Sequence, residues 1–302
     1  MTKADLKIYQ FNRLIILKTL LVIYPAAARK VSLFDNLTKW HKRRIFKYRF
    51  LSTIKNIPSF NIDRSDNKVI IFNIYSTGYY HFIAESLVKI ALHYDHLKDK
   101  IILLPNNTPQ FIKDAFQYLN IKNCETIRST IFLNKVEMIE NPLLGEFHPE
   151  HLALVRKNFR NFRPADIQGI KIYISRKKAR SRKIAEETEL EQKLQALGYK
   201  ILCTEGMTFM EQVELFSNAS SLISAHGAGL ANMIFMQEGS EVIELMPIIT
   251  PVDKYDTNFC YRNMATALKF NYTTIFCDKV DKSIIFDRCD LHVDVEKIIL
   301  SL

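Results

Sequence analysis

The chain has 302 residues, 48% of them hydrophobic, which excludes a disordered chain and suits two globular halves rather than one. Its five cysteines (Cys124, Cys203, Cys260, Cys277, Cys289) are odd in number, scattered and without a C-x-x-C pair, which argues against a disulfide framework or zinc knuckle and favours a reducing compartment. The net charge of +10 is concentrated: residues 1–55 hold 13 Lys and Arg against two Asp, or +11, and the rest of the chain sums to −1, which excludes a uniformly basic nucleic-acid-binding body.

The basic N-terminal region, residues 1–55, alternates cations with aliphatic and aromatic residues ("LKIYQFNRLIILKTLLVIYPAAARK", then "KWHKRRIFKYRF"). Its apolar stretch around Leu14 to Tyr24 is too short to span a bilayer and is interrupted by Lys18, which also spoils a secretory signal ending at the "AAA" of 26–28. Two readings remain: a helical arm lying on an anionic membrane surface, or a basic helix packed on its own domain. No recognition-helix or RNA-binding motif is present, so no nucleic-acid partner is expected.

From residue 68 the pattern becomes β-α-β-α. "KVIIFNI" reads as a buried strand, "HFIAESLVKIALHY" as a helix, "KIILLP" as a strand and "TPQFIKDAFQYLN" as a helix with Thr108 as cap and Pro109 first. After Pro142 the rhythm is lost in a connector and a helix. It restarts with strands at "IKIYISR", "YKILCT", "SSLISA", "SEVIELMP" and "YTTIFC", separated by helices at "EETELEQKLQALG", "TFMEQVELFSNA", "GLANMIFM" and "FCYRNMATALKF". The spacing therefore predicts an α/β chain with two Rossmann-like parallel-sheet domains facing a cleft, at 56–165 and 166–302.

Three stretches carry candidate chemistry. In "SSLISA-HGAG-LANMIFM" the turn of His226, Gly227, Ala228 and Gly229 joins a strand to a helix. Glycines permit positive φ and close approach, and the opening N–H groups of the helix suit a phosphate, with His226 and Asn232 reaching the same ligand. A tight turn around a satisfied histidine is the alternative. "YISRKKARSRK" ends a strand with Arg176 and continues through Lys177, Lys178, Arg180 and Arg182; the planar guanidinium of Arg176 or Arg182 can grip a diphosphate, where a solvated loop is the alternative. In "YYHFIAESL", His81 and Glu85 are four apart on one helix face, a spacing that suits a general base or an exposed ion pair. The pairs His93/His96 and His148/His151 read as surface clusters. No D-x-D, P-loop, G-x-G-x-x-G or G-x-S-x-G is present, and no metal site is expected.

In order, "YYHFIAES", "IYISRKKARSRKIAEE", "LGYKI" and "MTFMEQVELFSNASSLISAHGAGLANMIFMQEGSEVIELMP" resemble glycosyltransferase family 61 over roughly residues 70–275. The resemblance implies a GT-B architecture, inversion at the anomeric carbon, a nucleotide-sugar donor that is typically a UDP-sugar, and no metal or other cofactor. It implies donor contacts from Arg176, Arg182, His226, Gly227, Ala228, Gly229 and Asn232, with Ala231 standing where the family more often has Thr. It also implies Glu244 of "VIEL" at the ribose hydroxyls and Glu85, supported by His81, as the base.

The resulting expectation is an inverting, metal-independent glycosyltransferase, peripheral on the cytoplasmic face of the cell membrane, extending a glycan or lipid-linked acceptor in lipopolysaccharide, capsule or other surface-polysaccharide synthesis. The alternative is a catalytically silent nucleotide-sugar-binding subunit of a polysaccharide assembly complex.

Overall fold

A computed structural model describes residues 6–16, 22–24, 61–159, 169–250, 259–286 and 288–302. The chain divides into two compact units, residues 1–158 and 159–302. The domain boundary expected at 165/166 falls outside the described residues, as does most of the 1–55 region.

The first unit holds a mixed sheet in the order β2-β1-β7-β4-β5-β6, with β3 also on β7. The strands are β1 (Ile8–Ile16), β2 (Val22–Tyr24), β3 (Asn61–Asp63), β4 (Lys68–Ile70), β5 (Ile101–Leu104), β6 (Cys124–Thr126) and β7 (Ile131–Ile139). The pairs β3/β7, β4/β7, β4/β5 and β5/β6 are parallel, whereas β1 is antiparallel to both β7 and β2.

β1 corrects the expected helical arm: where described, residues 8–16 form a strand inside the sheet. Tyr9 and Phe11 stack on one side at 6.4 Å. Arg13 then takes φ 56° and shifts the alternation, so that Leu14 and Ile16 are fully buried. That change of phase hides a period-2 pattern in the sequence.

Helix α1 is continuous but irregular, running through Tyr79–His81, a π-helical turn at Phe82–Ser86 and Leu87–Leu92. The expected cap of the helix Gln110–Tyr118 (α2) is also corrected. Pro109 is the cap residue, and the Thr108 hydroxyl instead donates to the Pro105 carbonyl at 2.6 Å. The connector ends in α3 (Pro149–Asn158), which buries His151, so the pair His148/His151 is not a wholly exposed cluster.

The second unit follows the expected rhythm closely. Its sheet has the order β13-β12-β11-β10-β8-β9, built from β8 (Ile170–Ile174), β9 (Tyr199–Leu202), β10 (Ala219–Ala225), β11 (Glu241–Pro247), β12 (Asn271–Lys279) and β13 (Leu291–His292). All but the β12/β13 pair are parallel. Helices α4 (Glu187–Ala196) and α5 (Phe209–Ser217) connect the first strands, and α6 (Cys260–Leu268) and α7 (Val295–Leu300) come later. Gly198 ends α4 region at φ 83°, and Thr208 caps α5 in a reciprocal pair with Glu211.

One face of this sheet, carrying Tyr173, Ile223, Ala225, Ile243 and Leu245, packs with Leu190 and Leu194 of α4 and Val295 and Ile298 of α7. The chain leaves β8 to form β9 on one side and returns to place β10 on the other. The loops after β8 and β10 therefore flank the point where strand order reverses, the usual ligand position of an open parallel sheet.

Candidate functional site

At that reversal point β8 delivers Arg176 and β10 delivers His226. Arg176 closes its own loop: its guanidinium donates from Nη2 to the Ser181 carbonyl at 2.6 Å and from Nε to that of Arg182 at 3.3 Å. Arg182 completes the bend in the left-handed region at φ 58°, a conformation that costs a non-glycine residue about 1–2 kcal/mol. Glu187 anchors the start of the loop, accepting from the Arg176 amide at 3.1 Å and the Tyr173 hydroxyl at 2.7 Å.

Both guanidinium groups converge on Gly227. A Cβ at that position would lie 3.3 Å from Arg176 Nη1 and 3.6 Å from Arg182 Nη2. Among the described residues neither arginine forms an ion pair, and the buried Nε of Arg182 has no hydrogen-bond partner. Burial, and then the charge of Arg182, lower the Arg176 guanidinium below its ordinary value. The charges of Glu205 and Glu187 oppose that shift, but among the described residues no carboxylate lies within ion-pair distance of either guanidinium, an arrangement suited to an anion. Lys177 is turned outward onto Glu191, and Lys178 and Arg180 are exposed.

The glycines serve this arrangement by close approach, not by the positive φ expected from the sequence. Gly227 is extended (φ 168°), and Gly229 would set a Cβ 3.0 Å from Ile174 Cδ1. The following helix, Ala228–Phe235, is a 3₁₀-helix. Asn232 is fully buried within it, donating to Gln212 Oε1 at 3.0 Å and to the Gly229 carbonyl at 3.1 Å, so its amide braces the turn from beneath.

His226 and Glu244 are both buried, with Nδ1 and Oε1 2.6 Å apart. The second carboxylate oxygen accepts from Tyr272 at 2.7 Å. Burial, and then the Glu244 charge, push the Tyr272 phenol above its ordinary value, which keeps it a donor. Tyr272 had no signal in sequence: it meets Glu244 only because β11 and β12 pair in the register Val242↔Tyr272.

In the first unit His81 and Glu85 are joined, Nδ1 to Oε1, at 2.7 Å, and their surroundings differ from an exposed helical pair. The Glu85 side chain is 3% exposed and that of His81 25%. Asn73 donates to the other Glu85 oxygen at 2.9 Å, and Tyr75 stacks on the His81 ring at 5.3 Å. One turn on, the buried Lys89 donates to the Ile71 carbonyl at 2.8 Å and to Asn141 Oδ1. Burial pulls Lys89 down to about 8, with Glu85 opposing. The stripe 81, 85, 89 was visible as helical spacing, whereas Asn73 and Asn141 come from separate loops. Among the described residues no cluster of three His, Cys, Asp or Glu is placed to hold a metal ion.

These features coincide with a family match. The model of the family described as Glycosyltransferase 61 matches residues 79–243, more than half of the chain, from the helix of His81 to the residue before Glu244 in β11. Protein O-linked-mannose beta-1,4-N-acetylglucosaminyltransferase 2 is similar over shorter stretches. The Mus musculus protein is 42% identical and the Canis lupus familiaris protein 40% identical over 62 residues, 20% of this chain. The Homo sapiens protein is 45% identical over 51 residues, 17% of the chain. Those stretches are 10%, 10% and 9% of the relatives, so the chain covers about a tenth of the length of these curated proteins. With the arginine couple and the two imidazole–carboxylate pairs in the matched region or at its edge, the chain belongs to glycosyltransferase family 61.

Proposed function

We propose that the enzyme transfers a sugar from a nucleotide sugar, a UDP-sugar by family resemblance, to a hydroxyl of a glycan acceptor with inversion and without a metal. The observation that carries this reading is the unpaired couple Arg176 and Arg182 crowded against Gly227. A departing nucleoside diphosphate brings the negative charge that couple lacks, and the amides opening the 3₁₀-helix add N–H donors. Ala228 and Gly229 belong to that opening turn, while Asn232 supports it.

The first unit supplies a base. Glu85 is more deeply buried than His81 and holds its Nδ1, so the imidazole is the better placed member to take the acceptor hydroxyl's proton, with Glu85 stabilising the charge that results. This exchanges the roles implied by resemblance, where Glu85 is itself the base. The relatives' names describe N-acetylglucosamine transfer, which makes UDP-N-acetylglucosamine the first donor to try. The basic excess of residues 1–55 supports docking on the anionic cytoplasmic face of a membrane, and a lipid-linked or surface-polysaccharide acceptor fits that location.

The test is calorimetry with UDP, GDP and CDP, followed by turnover of the matching sugar nucleotide. Arg176→Ala and Arg182→Ala should each weaken nucleotide binding at least tenfold, as loss of a charge-assisted contact does. His81→Ala and Glu85→Gln should lower turnover about 10²–10⁴-fold with nucleotide affinity within twofold of wild type. Normal turnover in both of the latter variants would remove the base from the first unit and leave only a nucleotide-binding protein.

A further inference from the structure

The carboxylate of Glu244 is 1% exposed and both of its oxygens are already engaged, one by His226 and one by Tyr272. Each oxygen keeps a second lone pair, but the burial of the side chain and its two partners tie this carboxylate first to His226 and Tyr272. The ring it holds is fixed on its faces and edges as well: Tyr261 of α6 meets it at 5.1 Å and 68°, and Phe286 at 5.2 Å. The backbone amide of His226 is tied to the Leu245 carbonyl at 2.9 Å. Nδ1 is thus committed to Glu244, and Nε2 has no partner among the described residues. The next residue is Gly227, the point on which both guanidinium groups converge.

We infer that Glu244 and Tyr272 are positioning residues for the donor site: together they fix the ring orientation and proton placement of His226, so that Nε2 is the atom offered to a nucleoside diphosphate at the arginine couple. The inference rests on the donor reading above and adds two residues that act through His226 rather than on the ligand. Tyr272 has its own part in it. By donating to Oε2 it leaves Oε1 as the acceptor for Nδ1 and keeps the carboxylate from turning. An imidazole whose Nδ1 proton is held this way meets a phosphate oxygen through Nε2 when that nitrogen also carries a proton, and the adjacent Glu244 charge balances the resulting cation.

The experiment is a double-mutant cycle on the full chain, read by calorimetry with UDP and checked by thermal melting. His226→Ala and Glu244→Ala should each weaken UDP binding about tenfold or more, and the double variant should bind within twofold of His226→Ala alone. Glu244→Gln, which can still accept from Nδ1, should recover most of the affinity, whereas Tyr272→Phe should lose a smaller part. A Glu244→Ala effect that persists undiminished in the His226→Ala background, or no effect at all, overturns the inference.

If Glu244→Ala fails to fold, histidine ¹⁵N spectra of the free wild-type, Glu244→Gln and Tyr272→Phe proteins decide. His226, assigned by its loss in His226→Ala, should be protonated at Nδ1 in the wild type; a ring protonated at Nε2 alone overturns the inference. That spectrum needs no nucleotide. Wild-type protein that binds none of UDP, GDP and CDP would therefore remove the donor reading separately, while the spectrum still tests how Glu244 holds the ring.

Discussion

At the residue scale, the two imidazole–carboxylate pairs differ in how deeply they are set. His226 and Glu244 are nearly sealed, whereas His81 keeps a quarter of its side chain exposed above a buried Glu85. Lys89 sits one turn below Glu85, and its protonation leaves a mark on stability. Its folded-state value of about 8 lies below the ordinary lysine value because burial penalises the ammonium. Between these two values the unfolded chain binds the proton more strongly than the folded one, so this group makes stability rise with pH from about 8 to 10.5. Lys89→Met should remove that rise, as measured by melting temperature against pH. An unchanged slope in the variant would show that another group produces it.

At the element scale, β1 decides what the basic N-terminal region can do. Leu14 and Ile16 are fully buried, and each such side chain contributes about 1.5–3 kcal/mol. Removing residues 1–24 should therefore lower the melting temperature of the first unit and expose β7. Replacing the nine Lys and Arg of residues 25–55 with neutral residues should release the protein from anionic liposomes. Liposome binding that survives the replacement would refute the proposed membrane contact; an unchanged melt after truncation would refute the packing role of β1. The π-helical turn of α1 belongs to this scale too. Such turns are uncommon in helices and recur at functional sites, and this one carries Glu85.

At the scale of the whole molecule, carboxylates in both units are held in their charged form. In the first unit, burial acts against ionisation of Asp63, but hydrogen bonds from Lys68 and Ser65 outweigh it and lower its value; Glu137 is lowered likewise by Lys100 and His96. In the second unit, burial again opposes ionisation of Glu186, and His292 and the Val293 amide prevail. Groups lowered by folding contribute stability above the ordinary carboxylate range and lose it as pH falls through their folded values. Lys68, raised by Asp63 and Glu125 against the effect of burial, acts in the opposite sense: its contribution is complete below the ordinary lysine value and is lost above it. Melting temperature should thus fall steadily below about pH 4. A melting temperature that stayed flat from pH 5 to pH 3 would contradict this.

What the sequence determined by itself was the rhythm of the second unit. Parallel strands buried on both faces read as short apolar runs, and the cap at Thr208 and the stop at Gly198 are local chemistry, so these elements were legible without coordinates. The grouping of Arg176, Arg182 and the glycine turn was also legible, because each follows a strand end. Only the tertiary structure decided the rest. β1 and β7 pair across more than a hundred residues of chain, and the kink at Arg13 breaks the alternation that would have announced the strand. Tyr272 reaches Glu244 through strand register, and Asn73 and Asn141 reach Glu85 and Lys89 from separate loops. Local pattern reports which side chains face inward; which of them meet there depends on how distant segments pack.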